Sequence, residues 1–229
     1  VDKVIFVNGQ HKKDFDQNYR SSILKFAAEC PRTYLIMSPI FRGCSHMWNT
    51  CFNYTSTPYC LNLNDDVTLI DGFFNHYEEM LKHNAALGDE SFRINYSFSH
   101  FSLYRQDLFD VGYFDERLLA IGEEDGDWLW RWEVAKQRTM RVFGTDRLIN
   151  HIDSSDKNAE NMKKNSGSKY AKFNADWIFA NKYQPEAPHD SKKPSAVSLY
   201  GRPIQMRDGA HTPDFYPNEK WYRNNIDSL

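Results

Sequence analysis

Tyr59-Cys60-Leu61-Asn62-Leu63-Asn64-Asp65-Asp66 reads as a short apolar strand that runs straight into a carboxylate pair. In open α/β sheets, ligands bind outside the C-terminal ends of strands. Hard carboxylate oxygens there suit Mg²⁺ or Mn²⁺ bridging a diphosphate. The same residues also suit a turn whose aspartates cap the following segment. Residue types alone leave both readings open.

Upstream, Val4-Ile5-Phe6-Val7 is continuously apolar and is broken by Asn8-Gly9, which predicts a buried strand followed by a ligand-facing loop. Helical spacing of Ile23, Leu24, Phe26 and Ala27 predicts a helix over 16–29, closed by Cys30-Pro31 before a strand over 33–38. A second crossover helix is expected over 43–55. Strand and helix alternating in this way argue for an α/β fold with a mainly parallel sheet.

Downstream, Phe73, Phe74, Tyr77, Met80 and Leu81 mark an amphipathic helix over 71–87 with Asp71 in a capping position. Alternation over 96–104 predicts a strand, and a Trp-rich helix over 124–136 starts from an acidic cluster. Short strands are expected at 141–143 and 148–152, and one further helix at 168–181. Beyond residue 185 the chain is polar and Pro-punctuated, which predicts a loop-rich tail with aromatic anchors.

A chain of 229 residues with 41% apolar content can bury a sizeable core. A net charge of −3 with scattered basic residues supplies no field for nucleic acid, so no nucleic-acid partner is expected. The apolar runs are far short of the ~20 residues a membrane-spanning helix needs, so no membrane span is expected. Cys30, Cys44, Cys51 and Cys60 match neither a zinc ribbon nor a CxxC pair and read as reduced, buried thiols. Asn53-Tyr54-Thr55 and Asn95-Tyr96-Ser97 are formal glycosylation sequons, meaningful only in a secretory compartment.

Two further segments carry candidate chemistry. In Gly122-Glu123-Glu124-Asp125-Gly126-Asp127 the carboxylates crowd together just before Trp128. Crowding raises carboxyl pKa values, which favours a general base near neutral pH, although an acidic first turn is also ordinary helix design. His151 follows a predicted strand. It reads as a core or surface histidine or as the ligand that completes an octahedral Mn²⁺ site. No Walker loop, GxGxxG, GxSxG or clustered-histidine zinc motif is present. Trp128, Trp130, Trp177 and Trp221 read as core residues or as sugar-stacking platforms.

These pieces occur in a familiar order. Residues 40–49 followed by 59–67 resemble the stretch of family 2 glycosyltransferases that leads into their DxD motif. Phe109-Asp110-Val111-Gly112-Tyr113-Phe114-Asp115-Glu116-Arg117, then 122–131, resembles that family's "iG-x-fDE … EDxD-xx-xR" run and the acidic element of the β-1,4-galactosyltransferases. Ile149-Asn150-His151-Ile152 is similar to the strand-borne histidine after that helix, and 173–183 to a trailing helix with a Lys-aromatic ending. The match spans about residues 33 to 183.

What the resemblance implies is a GT-A (Rossmann-like) catalytic domain over 1–183, with a nucleotide-sugar half at 1–104, an acceptor and catalytic half at 105–183, and a C-terminal extension at 184–229. It implies Mn²⁺ or Mg²⁺ on Asp66 and His151. Asn8, Gly43, Asn64, Asp65 and Asp66 would lie around the donor. Asp125 would be the acceptor base with Glu124 beside it, and Asp127 and Trp128 would meet the acceptor. A UDP-sugar is the expected donor, a glycan or glycoconjugate hydroxyl the acceptor, and inversion the outcome. Asn64 departs from the family by standing where the first Asp of DxD is usual. The first strand also lies closer to Gly43 than in that family, which implies a missing strand-helix unit or a shortened N-terminus. Sugar nucleotidyl transfer and non-catalytic glycan binding are the rival functions. A cytoplasmic enzyme is expected, with a luminal Golgi-type domain as the alternative.

Overall fold

The structure is a computed structural model that describes residues 3–7, 16–38, 43–64, 67–94, 98, 100–119, 121–143, 149–151, 168–185 and 204–206. The fold is mixed α/β. Strands β1 (Lys3–Val7) and β2 (Thr33–Met37) pair in parallel, Lys3 opposite Thr33 and Val7 opposite Met37, with helix α1 (Gln17–Glu29) as their crossover. Asp16 caps α1 rather than opening it. Its carboxylate accepts from the backbone N of Asn18 at 2.8 Å and of Tyr19 at 3.3 Å, which satisfies two of the donors a helix start leaves unpaired.

Helix α2 (Cys44–Asn53) leads to β3 (Tyr59–Asn62), and β4 (Val67–Leu69) leads to α3 (Phe73–Ala86). The expected cap at Asp71 is replaced by Gly72, whose φ of 78° turns the chain into α3. Then follow β5 (Phe92–Ile94), β6 (Phe101–Tyr104), α4 (Arg105–Val111) and α5 (Glu124–Lys136). Strands β7 (Val142–Phe143) and β8 (Ile149–His151), helix α6 (Ser168–Asn181), and strands β9 (Tyr183–Pro185) and β10 (Ile204–Met206) complete the described elements.

The expected mainly parallel sheet is not what the described ladders form. The largest has four strands in the order β3-β6-β5-β7, with β3/β6 and β6/β5 antiparallel and only β5/β7 parallel. β4 pairs antiparallel with β8, and β9 with β10, so the tail contributes a strand that its composition did not announce. The physical reason lies in 92–104, where alternation predicts one strand over 96–104 and the chain forms two, β5 and β6. The few residues between β5 and β6 are too short for a crossover, so the second strand must return antiparallel.

Period-two alternation assigns the faces of that sheet. Phe101 and Leu103 join Trp48, Phe52, Phe98, Leu108, Phe114, Trp128 and Trp132 in one core between the sheet and α2, α4 and α5. Phe92 and Ile94 join Phe73 and Met80 in a second core under α3. Ser102, turned toward α3, meets the Tyr77 hydroxyl at 2.8 Å. Rings dominate the first core. Phe114 stacks on Trp128 with centroids 5.3 Å apart, and Phe98 on Phe101 at 4.5 Å, contacts that add stabilisation beyond area burial.

Arg105 ties the end of α2 to this sheet, donating to the carbonyls of Phe52 at 3.1 Å, Thr55 at 2.7 Å and Thr57 at 3.0 Å. Asp107 ties α4 to α5, accepting from Ser91 Oγ at 2.6 Å and Trp132 Nε1 at 2.7 Å.

A Cβ at position 72 meets nothing nearer than His76 at 3.9 Å, so only the left-handed backbone resists a side chain there. Gly72→Ala is therefore expected to lower stability by about 1–2 kcal/mol, read as a lower urea midpoint with an unchanged m-value.

Candidate active site

The described residues of 112–123, which are 112–119 and 121–123, form no helix or strand and are held from two sides. From α2, Asn49, fully buried, accepts from Phe114 N at 3.0 Å and donates to Phe114 O at 2.8 Å. Asn49 also donates to Glu116 Oε1 at 3.0 Å, while His46 Nδ1 meets Glu116 Oε2 at 3.1 Å. From α6, Asn174 accepts from Leu119 N at 2.8 Å and donates to the carbonyls of Leu119 at 2.8 Å and Gly122 at 2.7 Å. The segment then makes a sharp turn with φ of 124° at Gly122 and 72° at Glu123, and α5 begins.

That turn carries the acidic motif, and its carboxyl groups have unlike surroundings. Glu123 is 3% exposed and its Oε2 has no hydrogen-bond partner. Burial, then the charges of Asp125 and Asp127, pushes its pKa up to about 8. Glu124 is buried with Oε2 accepting from Gly122 N at 2.5 Å. Burial and then Asp125 push it up to about 8 as well. Asp125 is partly exposed and accepts from Gly126 N at 2.7 Å. Burial raises its pKa above the usual carboxylate value, opposed by backbone hydrogen bonds and by Arg93. The Cys44 thiol, at the start of α2, bonds to the Glu124 side chain. Burial, then Glu124 and Asp125, holds it well above the ordinary thiol range.

Asp127 belongs to a different environment. It is fully buried and forms ion pairs with Lys182 Nζ at 2.8 Å and Arg131 Nη2 at 3.1 Å. Although burial pushes its pKa up, Lys182 and Arg131 together hold it below the usual value. Lys182 Nζ also lies 2.8 Å from Asp115 Oδ2, and Arg117 Nη2 lies 2.7 Å from the same oxygen. Asp115 is likewise pushed up by burial and held low by Lys182 and Arg117. Arg117 in turn covers the ring of Trp177 at 4.4 Å.

Of the residues singled out in the sequence, the structure brings Gly43, Glu124 and Asp125 into one neighbourhood, where the first turns of α2 and α5 meet through Cys44 and Glu124. Asp127 and Trp128 are corrected from acceptor contacts to interior residues. Both are 0% exposed, and Trp128 Nε1 donates to Gly112 O at 2.8 Å inside the aromatic core. Asn64 ends the β3 segment with its backbone N donating to His100 Nδ1 at 3.4 Å. Asn8, Asp65 and Asp66 lie outside the described residues. His151 closes β8, where the ladder sets it opposite Val67, the residue that follows Asp66. Among the described residues no cluster of three or more potential metal ligands occurs.

Sequence reading missed Asp115, Asn174 and Lys182. The signal was present, since Asn174, Ile178 and Lys182 recur at steps of four and so share one helical face. A lysine just past a helix end nevertheless reads as a solvated C-terminal charge. The chain matches no protein-family model and no curated protein sequence.

Two stability effects follow. Glu123 keeps its proton to about pH 8 when folded, whereas the unfolded chain releases it near 4.5. The wild type therefore loses stability as pH rises through that window. Glu123→Gln is expected to gain about 1–3 kcal/mol at pH 8 and little at pH 4.5, measured by urea unfolding at both values. Asp127→Ala leaves Lys182 and Arg131 buried without their shared anion and should cost about 3–5 kcal/mol, seen as a large drop in melting temperature.

Proposed function

We propose that the protein is a metal-dependent glycosyltransferase that moves a sugar from a nucleotide-sugar, UDP-linked, to a hydroxyl of a glycan acceptor with inversion. The observation that carries this reading is the β4/β8 ladder. Val67 follows directly on Asp66, and its backbone partner is His151. Directly opposed residues of an antiparallel pair lie within side-chain reach of one another. His151 is thus level with the residue that follows Asp66 in sequence, and a carboxylate with an imidazole fits Mn²⁺ or Mg²⁺.

Asp66 and His151 would hold the ion, with Asn64, Asp65 and Gly43 around the donor. When bound, the metal neutralises charge on the departing diphosphate. Asp125 receives the proton of the acceptor hydroxyl. The acceptor oxygen forms its bond to the anomeric carbon from the face opposite the diphosphate, and the bond to the diphosphate breaks with its electron pair leaving on that group. Support for Asp125 as the base comes from its partial exposure and its raised pKa, which moves a carboxylate toward the operating range of a general base. Glu124 would shape the same turn, and Asp127 would orient the helix rather than the acceptor.

A glycan-binding module or a sugar nucleotidyltransferase would bind or consume different ligands. The test is therefore a thermal-shift series with UDP-, GDP- and dTDP-sugars, each with and without Mn²⁺. Stabilisation that requires both one nucleotide-sugar and the metal is expected. Its absence with every donor overturns the reading. Asp66→Ala should abolish that shift. Asp125→Asn should keep it while lowering transfer by about 10²–10⁴-fold, and near wild-type transfer by that variant would remove Asp125 from the mechanism. In the wild type, kcat should fall as pH drops through the raised pKa of Asp125.

A further inference from the structure

We propose that Lys182 is a positioning residue for the catalytic helix, setting through Asp127 the rotation of the first turn of α5 and with it the direction of Asp125. This inference rests on the transferase reading for its catalytic consequence, though not for its structural part. Successive residues of a helix are about 100° apart, so Asp125 and Asp127 point about 200° apart. Asp127 is 0% exposed and Asp125 partly exposed, in keeping with opposite faces of one turn. Whatever anchors Asp127 on the inner side therefore decides where Asp125 points on the outer side.

The anchor is an ammonium with 0% exposure that bridges Asp127 and Asp115 at 2.8 Å each. The two carboxylates come from different segments, one from α5 and one from the irregular chain before it. Lys182 comes from a third, the residue after α6, with its backbone N bonded to Ile178 O at 2.7 Å. One face of α6 thus holds the chain leading into the acidic turn through Asn174 and the turn's own helix through Lys182. Burying ions is costly, and replacing a whole buried ion cluster by apolar side chains of like volume commonly serves stability as well or better. The charge is explained by geometry: only a cation can hold two buried carboxylates at one fixed point between them.

Cys44 reports the position of this turn without any need for activity. Its thiol bonds to Glu124, next to Asp125, and is partly exposed. In Lys182→Met, a rotated first turn withdraws Glu124 and Asp125 from the thiol. Alkylation of Cys44 by iodoacetamide at pH 8, followed by mass spectrometry with Cys30 as internal reference, should then speed up about tenfold or more, the effect of one pKa unit. kcat for sugar transfer should fall about 10²-fold, with the KM for the nucleotide-sugar unchanged. A folded Lys182→Met protein with wild-type Cys44 alkylation and wild-type kcat overturns the proposal. Faster Cys44 alkylation in a protein whose wild type transfers no sugar keeps the positioning role and overturns the transferase reading. Should Lys182→Met not fold, Asp127→Asn/Lys182→Met removes both partners of the Lys182–Asp127 ion pair and leaves Asp115 paired with Arg117. Unchanged Cys44 alkylation in that folded double variant is equally fatal to the proposal.

Discussion

The ammonium of Lys182 is the point on which α5, α6 and the segment between α4 and α5 converge. Two carboxylates from separate segments, Asp115 and Asp127, approach closely in a water-free interior only because a cation stands between them. Around that point Arg117 pairs with Asp115 and Arg131 with Asp127, and Arg131 extends further. Arg131 reaches the carbonyls of Val111 at 2.7 Å and Tyr113 at 2.8 Å, so the segment after α4 is tied to the same centre. The ion cluster therefore organises backbone as well as charge. The aromatic core beside it, centred on Phe114 and Trp128, supplies the dry surroundings that make these contacts strong.

Helices were the most legible part of the sequence. Those at Glu124–Lys136 and Ser168–Asn181 occupy the residues that apolar spacing assigns to them, because long periodic segments carry many independent signals. Strand topology was legible only in the parallel β1/β2 pair and its crossover helix. β5 and β7 are three and two residues long, too short for a period to declare itself, and pairing direction depends on connections that a strand's own residues do not encode. β4 was missed because Val67-Thr68-Leu69, between Asp66 and Asp71, is too short to show a period. The start of α3 shows a subtler limit. Asp71 and Gly72 are both good cap residues, and only the backbone conformation decides between them.

The acidic motif was found by composition, but its division of labour was not. Five consecutive residues with four carboxyl groups look equivalent in sequence. In the structure Asp127 is neutralised by a lysine far along the chain, Glu123 Oε2 is buried without a hydrogen-bond partner, and Asp125 reaches the surface. Such differences arise from three-dimensional neighbours, and Lys182 was concealed by its ordinary-looking place after a helix. Trp128 misled for a related reason. An aromatic ring serves a sugar site and a core equally well, and only its 0% exposure separates the two.

The β4/β8 ladder and α5 differ in how they resist deformation. It consists of three residue pairs standing apart from the four-stranded sheet. A two-stranded ribbon of that size is marginal by itself in water, whereas α5 is clamped by buried ions and stacked rings. One element is thus a compliant jaw and the other a stiff anvil. A ligand that bound against the ribbon would spend part of its binding energy on stiffening it, a cost that α5 would not exact.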